Sequence, residues 1–306
     1  HLPQDNQGFL IEPRIRLRPG RFADDGIFVL GGSHQPVNLH EALFQAYLTS
    51  TRVIHFLSQE TISSEASTAQ VESNLCTGCG ECAQVCMAEA IHLEKRALPE
   101  ISRSSVLSLS TIDPLRCTGC GNCAVACPVK AIVIPGWEDA AILEQISTAL
   151  RPCSGLVETP GFTQPAPPIL ALACEWSAYA AADLAGARQL EYPASVRILR
   201  MNCSARFDPN HILWAFLNGA QGVFLGACPL GECHYGSGNH FAQERTLALQ
   251  QQLADHGIDP GRLHLEMIAA DDGPGFVKAI QRFAIHLASS TLASWEYVPI
   301  TGGRHG

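Results

Sequence analysis

Charge is scarce in this 306-residue chain, and positive charge most of all. Charged residues make up 16 % of the sequence, with 20 Lys and Arg against 29 Asp and Glu, and the formal net charge is −9. Lys and Arg form no cluster or stripe, which argues against a nucleic-acid partner. So low a charged fraction is typical either of extensive contact with partner subunits or of a compact fold rich in glycine and alanine.

Long hydrophobic runs are also missing. The longest apolar stretches, such as Ile169 to Cys174, have the length of a strand and not of a membrane span. No charged-then-apolar leader opens the chain, so secretion is not predicted. The first residue is His, and no complete unit precedes Ile27 to Leu30. We therefore expect the chain to start within a domain, as a fragment, a processed product or half of a split protein.

Cysteine, in contrast, is abundant, with 13 residues. In a small secreted protein this number would imply disulfides, whereas in a longer intracellular chain metal or cluster binding is more typical. Hydrophobic residues make up 46 % of the sequence, and the length suffices for two or three domains with their own cores.

Eight of the cysteines form two copies of the pattern Cys-x2-Cys-x2-Cys-x3-Cys, and this repeat predicts two stacked copies of one supersecondary unit. The first motif is Cys76, Cys79, Cys82 and Cys86, and the second is Cys117, Cys120, Cys123 and Cys127. Glycines within the motifs let the backbone curl, so that its N–H groups approach the sulfurs and stabilise a negatively charged cluster. These glycines are Gly78, Gly80, Gly119 and Gly121.

The spacing is that of ferredoxins with two 4Fe-4S clusters, in which the fourth cysteine of each motif ligates the other cluster. We therefore predict two interleaved sets of ligands. Quartet 1 is Cys76, Cys79, Cys82 and Cys127, and quartet 2 is Cys117, Cys120, Cys123 and Cys86. Pro128 follows the last cysteine as this pattern requires, whereas Met87 replaces the proline of the first motif. Zinc sites and disulfides fit this spacing less well.

The sequence after Pro168 alternates between strand-like and helix-like stretches, which predicts a parallel sheet with right-handed crossovers. The predicted strands are Ile169 to Ala173, Val196 to Leu199, Gly222 to Leu225 and Leu263 to Ile268. The predicted helices are Ala178 to Arg188, Asn210 to Leu217, His240 to His256 and Gly275 to Ala288. A further helix is predicted from Glu138 to Leu150, before this sheet. Linkers are predicted at 58–74 and 151–168.

Four cysteines follow the predicted strands of this sheet. Because the carboxyl ends of parallel strands share one edge, we expect them to meet there as a C-terminal quartet. Its members are Cys174, Cys203, Cys228 and Cys233. Four thiolates suit a 2Fe-2S cluster, another cubane or zinc, and the alternative is that they are ordinary buried residues. His234 is a further candidate ligand of Rieske type, although packing is the commoner role of such a residue. Cys153 lies in a linker and is interpreted as structural.

Three stretches of the C-terminal part resemble the small iron–sulfur delta subunit of methyl-viologen-reducing hydrogenase. They are Cys174-Glu-Trp-Ser-Ala-Tyr-Ala-Ala-Ala-Asp, Val196-Arg-Ile-Leu-Arg-Met-Asn-Cys-Ser-Ala-Arg-Phe-Asp-Pro and Gly226-Ala-Cys-Pro-Leu-Gly-Glu-Cys-His-Tyr. The resemblance spans about 168–288 and implies a 2Fe-2S cluster. That family often has Cys-x-x-Cys at the first site, where this chain has Ser177, so the C-terminal quartet is the implied ligand set.

The first 150 residues resemble the C-terminal part of the A-type subunit of heterodisulfide reductase. The stretch Asp25-Gly-Ile-Phe-Val-Leu-Gly is similar to the last FAD-contacting strand of its thioredoxin-reductase-like flavin domain, and a dicluster ferredoxin insert follows in the same order. The upstream Gly-rich FAD-binding turn is absent, and Gly32 replaces the Asp that holds the ribityl chain in many related flavoproteins. The resemblance implies partial FAD contact by Asp25, Gly26, Ile27 and Gly31, with a partner chain supplying the rest.

Together these patterns predict a multidomain chain of mixed α/β and α+β class. The expected parts are the end of an FAD domain (1–60), a linker (61–74), a dicluster ferredoxin domain (75–135), a helix with a Pro-rich linker (136–167), a 2Fe-2S domain with a parallel α/β sheet (168–290) and a tail (291–306).

The resemblances imply an electron-transfer subunit of a heterodisulfide-reductase-like complex. It would relay electrons between a hydrogenase or formate-dehydrogenase type of donor and a flavin or other acceptor, with electron bifurcation as one form of this role. We expect no substrate site in the chain itself, other subunits including a flavin-domain chain as partners, and an anaerobic cytoplasmic setting. The alternatives are the same modules in a quinone-linked or aromatic-ring-reducing complex, a free ferredoxin-type shuttle, and a non-redox zinc protein.

Overall fold

A computed structural model describes residues 4, 7–10, 26–33, 35–60, 68–97, 106–151 and 167–289. The helices in these ranges are α1 (Leu39–Leu57), α2 (Glu81–Gln84), α3 (Asn122–Ala126), α4 (Asp139–Leu150), α5 (Ala178–Ala187), α6 (Pro209–Leu217), α7 (Gly238–Asp255) and α8 (Gly273–Ser289). The strands are β1 (Gln70–Val71), β2 (Ile91–Ala97), β3 (Val106–Ile112), β4 (Ile132–Val133), β5 (Ile169–Cys174), β6 (Val196–Met201), β7 (Gly222–Ala227) and β8 (Leu263–Met267).

The N-terminal segment differs from its prediction. The apolar run Ile27 to Leu30 does not form a strand, and only Phe28 within it takes part in a β-bridge. The run instead packs on α1, where the Phe28 and Phe56 rings meet edge to face at 6.1 Å. Four apolar residues form a strand only when a neighbouring chain segment satisfies their backbone groups, and the helix supplies packing without such hydrogen bonds.

The dicluster region folds as two related halves. Each motif curls through left-handed glycines into a short helix, α2 or α3. Strands β1 and β4 pair antiparallel, with Gln70 opposite Val133, and join the start of the region to its end. Strands β2 and β3 form a second antiparallel pair of seven residues each.

The C-terminal region is the predicted parallel sheet, with strand order β6-β5-β7-β8. Strand β5 is buried along its whole length, which explains its uninterrupted apolar sequence. The chain leaves β5 toward β6 and then crosses over β5 to reach β7. Carboxyl ends on either side of such a reversal in strand order form the usual ligand crevice of this architecture.

Helices cover both faces of this sheet. Helices α5 and α8 pack on one face through small residues of α5 such as Ala181 and large residues of α8 such as Phe276. Helices α4, α6 and α7 pack on the other face, with Ile146 of α4 fully buried there. Helix α4 therefore belongs to the sheet's outer layer, although it precedes β5 by a long segment.

The lengths and hydropathies of the described helices also bear on membrane insertion. None of these helices is both long and apolar enough to cross a bilayer.

Candidate metal centres

The first motif wraps its sulfurs with backbone N–H groups. Gly78 and Gly80 have φ values of +71° and +83°, which only glycine adopts readily. Burial alone would raise the pKa of the Cys76 thiol, but hydrogen bonds from the backbone N–H groups of Ser110 and Gly78 outweigh burial and lower it. The loop is therefore built to stabilise a thiolate, which is the form that binds iron.

Quartet 1 lines a small pocket. All four of its cysteines surround this pocket, together with apolar side chains such as Val71 and Ile132. Burial raises the pKa of Cys82, and the nearby Cys127 and Cys76 thiols raise it further, so the thiols lie close enough to repel one another when ionised. A pocket with four converging sulfurs fits a cubane cluster, whose iron would neutralise them.

In quartet 2, Cys123 is buried, and Cys86, Cys117 and Cys120 are partly buried. Burial raises the pKa of Cys123, and the neighbouring Cys120, Cys117 and Cys86 thiols raise it further. Cys82 of quartet 1 adds a smaller effect of the same sign, which places the two quartets next to each other. The interleaved ligand sets remain a prediction, and the structure brings the predicted members of each set together.

The fourth cysteine of each motif has the same surroundings in both halves. The Ala90 N–H lies 3.4 Å from Cys86 Sγ, and the Ala131 N–H lies 3.2 Å from Cys127 Sγ. Both donors come four residues after their acceptor. This equivalence shows that the repeat in sequence is a repeat in hydrogen bonding, as a pair of similar clusters requires.

The C-terminal quartet lies where three parallel strands end. Cys174 is the last residue of β5, Cys203 follows β6, Cys228 follows β7, and Cys233 lies on the loop before α7. All four are buried, with exposed fractions of 0 to 3 %. Cys174 Sγ lies 3.6 Å from Cys228 Sγ. The topology therefore gathers residues up to 59 positions apart (233 − 174) into one site.

The four sulfurs form a ring in which each interacts with two others. Interactions with the Cys203 and Cys228 thiols lower the pKa of Cys174 and Cys233, and the same interactions raise the pKa of Cys203 and Cys228. No three of these sulfurs, all of them described, lie within 4.8 Å of one another. A tetrahedral zinc site with Zn–S bonds of about 2.3 Å would bring all four to about 3.8 Å. The open ring fits a cluster of more than one metal ion better.

Aromatic side chains cover the outer side of the C-terminal quartet. The His234 ring stacks on Trp176 at 3.3 Å with an angle of 8° between the planes. Trp176 Nε1 donates to the Tyr235 hydroxyl at 3.2 Å. His234 therefore packs against Trp176 beside the four sulfurs, and its role as a ligand stays a prediction. The sequence analysis did not single out Trp176, although its place two residues after Cys174 was a usable signal.

The C-terminal quartet and quartet 2 are in contact. Cys120 packs against Cys203, Cys233 and Tyr235 in one apolar cluster. Cys174 and Cys228 pack instead with Trp176, on the other side of Tyr235. The side of the C-terminal quartet formed by Cys203 and Cys233 therefore faces the dicluster region.

A buried charged set beside the quartets also contains metal-ligating groups. Asp139, Asp208 and His211 have ligand atoms within 4.8 Å of one another. Arg206 lies 2.6 Å from Asp139, and Lys130 lies 2.5 Å from Asp208, so two cations already neutralise the two carboxylates. We interpret this set, the seam network, as ion pairs between the dicluster region, α4 and the C-terminal region.

Two predicted features lie partly or wholly outside the described residues. Asp25 and Cys153 are not among them. Gly26 and Ile27 are described, and Gly31 begins a short 3-10 turn whose first N–H donates to Gln45 Oε1 at 2.6 Å. FAD contact by this segment remains a prediction.

Comparison with known proteins agrees with both resemblances. Residues 75–131 match the family model of the 4Fe-4S dicluster domain, which implies two 4Fe-4S clusters. Residues 169–289 match the model of the methyl-viologen-reducing hydrogenase delta subunit.

Individual relatives extend this result. The chain is 31 % identical over 280 residues to the A-type subunit of ferredoxin:CoB-CoM heterodisulfide reductase from Methanosarcina mazei, which covers 91 % of the chain and 32 % of that protein. It is 42 % identical over 117 residues to the D-type iron-sulfur subunit of F420-non-reducing hydrogenase from Archaeoglobus profundus, which covers 38 % of the chain and 85 % of that protein. The chain thus spans about a third of the length of the reductase protein and most of the hydrogenase protein.

Proposed function

We propose that this chain, which belongs to the family of the methyl-viologen-reducing hydrogenase delta subunit, is an electron-transfer subunit of a heterodisulfide-reductase-like complex. Its dicluster ferredoxin region is related to the A-type subunit of heterodisulfide reductase, which supports the second half of this assignment. In this role it relays electrons between a hydrogenase or formate-dehydrogenase type of donor and a flavin or other acceptor. The observation that carries the proposal is the continuous series of three cysteine quartets.

That series has an order. The C-terminal quartet contacts quartet 2 through Cys120, and quartet 2 interacts with quartet 1 through Cys123 and Cys82. Quartet 1 reaches the surface at Cys79, which is exposed. Iron–sulfur clusters supply one-electron carriers when bound, and a row of neighbouring sites is the arrangement that electron transfer through a chain needs.

We propose a 2Fe-2S cluster for the C-terminal quartet. Four buried sulfurs in an open ring support this choice over a single zinc ion. We also propose that Gly26, Ile27 and Gly31 make part of an FAD site completed by a partner chain. Support for this part comes from the relation to the A-type subunit of heterodisulfide reductase and not from a pocket in the described residues.

The surface of α1 favours a complex over a free shuttle. Its side chains Leu39, Tyr47 and Leu57 are exposed by 72, 75 and 68 %, together with other apolar residues of the same helix. Contiguous apolar surface of this kind usually marks contact with another polypeptide. We propose that the flavin-bearing part of the complex covers it.

The test of the proposal is metal and sulfide analysis of the anaerobically purified chain, with the identity of copurifying proteins as a second readout. Two cubanes and one 2Fe-2S cluster give about ten irons and about ten sulfides per chain. Zinc without sulfide would contradict the proposal. A monodisperse monomer with full clusters and no copurifying oxidoreductase would favour the shuttle instead.

A further inference from the structure

Arg245, a partly buried residue of α7, joins the two cluster-bearing regions. Its Nη1 donates to the Ala205 carbonyl at 2.8 Å, and its Nη2 donates to Asn122 Oδ1 at 2.5 Å. The guanidinium also lies over the Phe241 ring at 5.6 Å. One planar group thus bridges residues that are 83 positions apart (205 − 122).

Each end of this bridge lies beside a predicted cluster ligand. Asn122 precedes Cys123 and begins α3, and its Nδ2 donates to the Val85 carbonyl at 2.9 Å, next to Cys86. Asn122, which Arg245 holds, therefore connects the backbone before Cys86 with the backbone before Cys123, and both cysteines are predicted ligands of quartet 2.

The other end of the bridge belongs to the C-terminal quartet. Ala205 follows Cys203 by two residues, and its N–H lies 3.4 Å from Cys203 Sγ. Ala205 also packs in the apolar cluster that holds Cys233 and Cys120. The Arg245 fork is therefore attached to the loop that faces quartet 2.

Other contacts across this boundary are consistent with a fixed separation. Asn202 Nδ2 donates to the Gly119 carbonyl at 2.6 Å, which ties the residue before Cys203 to the residue before Cys120. Met87 Sδ lies 3.2 Å from the Ser237 N–H, so the residue that replaces the expected proline of the first motif contacts the C-terminal region.

We propose that Arg245 is a positioning residue that holds the Cys120–Cys123 loop against the Cys203 loop and so sets the distance between the cluster of quartet 2 and the cluster of the C-terminal quartet. The inference rests on the proposed function. One electron crosses this boundary in either direction, without bond formation or proton transfer, between the cluster of quartet 2 and the cluster of the C-terminal quartet. Arginine suits the task because its rigid fork donates two hydrogen bonds at once, whereas lysine presents a single flexible ammonium group.

Arg262 is a matched control. It is also a partly buried arginine that stacks on a phenylalanine, at 4.8 Å from Phe216. It donates to the Gln221 and Ala220 carbonyls at 2.8 and 3.0 Å, both within the C-terminal region. Burial lowers the pKa of both arginines. Replacing Arg262 therefore removes the same kind of contacts without touching the boundary.

The experiment compares the wild-type full chain with Arg245→Met, Arg245→Lys and Arg262→Met, all purified anaerobically. Iron and sulfide content establish that the clusters are present. Two readouts then follow: the magnetic interaction between the reduced clusters by electron paramagnetic resonance, and the rate of electron redistribution after a pulse of photoreduction. For Arg245→Met we expect a weaker magnetic interaction and a severalfold lower rate of electron redistribution, because both fall steeply as the separation between the two clusters increases. Arg262→Met should match the wild type.

The outcomes separate the inference from the proposed function. A wild-type chain without clusters, or without interaction between them, contradicts the proposed function itself. A fully loaded Arg245→Met variant with wild-type interaction and rate overturns the role of Arg245 alone, as does an equal effect in Arg262→Met. If Arg245→Met does not retain its clusters, the Arg245→Lys variant is the test. A reduced rate of electron redistribution in Arg245→Lys supports positioning by the guanidinium, and a wild-type rate overturns the role of Arg245.

Discussion

The dicluster region and the C-terminal sheet both gather cysteine quartets, but they do so by different means. In the dicluster region three ligands of each quartet lie within seven consecutive residues on a glycine loop, as in Cys76 to Cys82. In the C-terminal region the ligands lie at the ends of three strands and on one loop, and only the completed sheet brings them together. The first arrangement depends on local backbone geometry and the second on the whole tertiary fold.

Exposure follows the same division. Cys79 is exposed in quartet 1, whereas all four members of the C-terminal quartet are buried. Burial and solvent access are two of the means by which a protein tunes cluster potentials and reactivity. A cluster in quartet 1 would be open to an external redox partner at Cys79, whereas a cluster in the C-terminal quartet would be shielded within the fold. Substitutions in each region test how far this contrast extends.

The largest effect is expected in the buried quartet, for Cys228→Ala. The variant should lose the C-terminal cluster, so that iron falls from about ten to about eight per chain. The free energy of unfolding should fall as well, because cluster binding and folding of this region are linked. The expected loss is about 4 kcal/mol, which corresponds to a free ligand concentration of about a thousand times the Kd. Iron analysis and thermal unfolding measure both. Cys153→Ala is the control and should leave the iron content unchanged; full iron content in Cys228→Ala would refute the ligand assignment.

The exposed quartet should be more tolerant. In Cys79→Ala we expect the loss of about one to four irons from quartet 1. Thermal stability should fall less than in Cys228→Ala, because Cys79 itself is exposed and the loss of its side chain leaves no buried void. The comparison of the two melting temperatures is the measurement. A larger fall for Cys79→Ala would mean that the contrast between local and global assembly is wrong.

Two parts of the structure could be predicted from the sequence: the cysteine loops, which depend on local spacing, and the C-terminal sheet, which depends on the alternation of strands and helices. The Cys-x2-Cys-x2-Cys-x3-Cys repeat predicts the glycine loops, because three thiols at that spacing require left-handed turns such as Gly78 and Gly80. The alternation of apolar strands and helices likewise predicts the parallel sheet, and the rule that strand ends share an edge predicts the meeting of Cys174, Cys203 and Cys228.

The contacts between the regions could not be predicted in this way. Arg206, Asp208 and Arg245 read in sequence as ordinary surface charges, and they become buried partners only when two separate regions meet. A partial signal existed for Asp208, because Asp followed by Pro is typical of a helix start, and Asp208 does cap α6. The incorrect strand prediction at Ile27 to Leu30 has a similar origin, since a strand needs a pairing segment that the apolar run itself does not reveal.

Equivalent glycines of the two motifs should differ in their tolerance of a side chain. Gly80 and Gly121 both have φ of +83°, which costs an alanine about 1 kcal/mol or more at either position. A Cβ on Gly121 would lie 2.6 Å from Arg206 Cδ, whereas a Cβ on Gly80 would lie 3.3 Å from Leu93 Cδ1. We therefore expect Gly121→Ala to be more destabilising than Gly80→Ala by about 1–2 kcal/mol.

Thermal unfolding of the two cluster-loaded variants measures this difference. The result bears on the comparison because Gly121 of the second motif lies against Arg206 of the C-terminal region, whereas Gly80 of the first motif lies against Leu93 of the dicluster region. Equal shifts in the two variants would show that the boundary adapts to a methyl group and is looser than the structure indicates.

The smallest effect is expected at the seam network, for Asp139→Asn. Burial alone would raise the pKa of Asp139, but hydrogen bonds from His211 and Arg206, with the Arg206 charge, outweigh burial and hold the pKa well below its usual range. Because Asp139 is partly exposed, we expect a loss of only about 1 kcal/mol, or about 2–4 °C in melting temperature.

The pH dependence of this effect identifies the group responsible. A carboxyl whose pKa is lower in the folded state stabilises the fold fully above its unfolded pKa of about 3.9, and this contribution is lost as the pH falls through the folded value. The difference between the wild type and Asp139→Asn should therefore be the same at pH 8 and pH 6. A difference that changes between pH 8 and pH 6 would contradict the assignment of the effect to the Asp139 carboxylate, whose hydrogen bonds from His211 and Arg206 keep it ionised over this range.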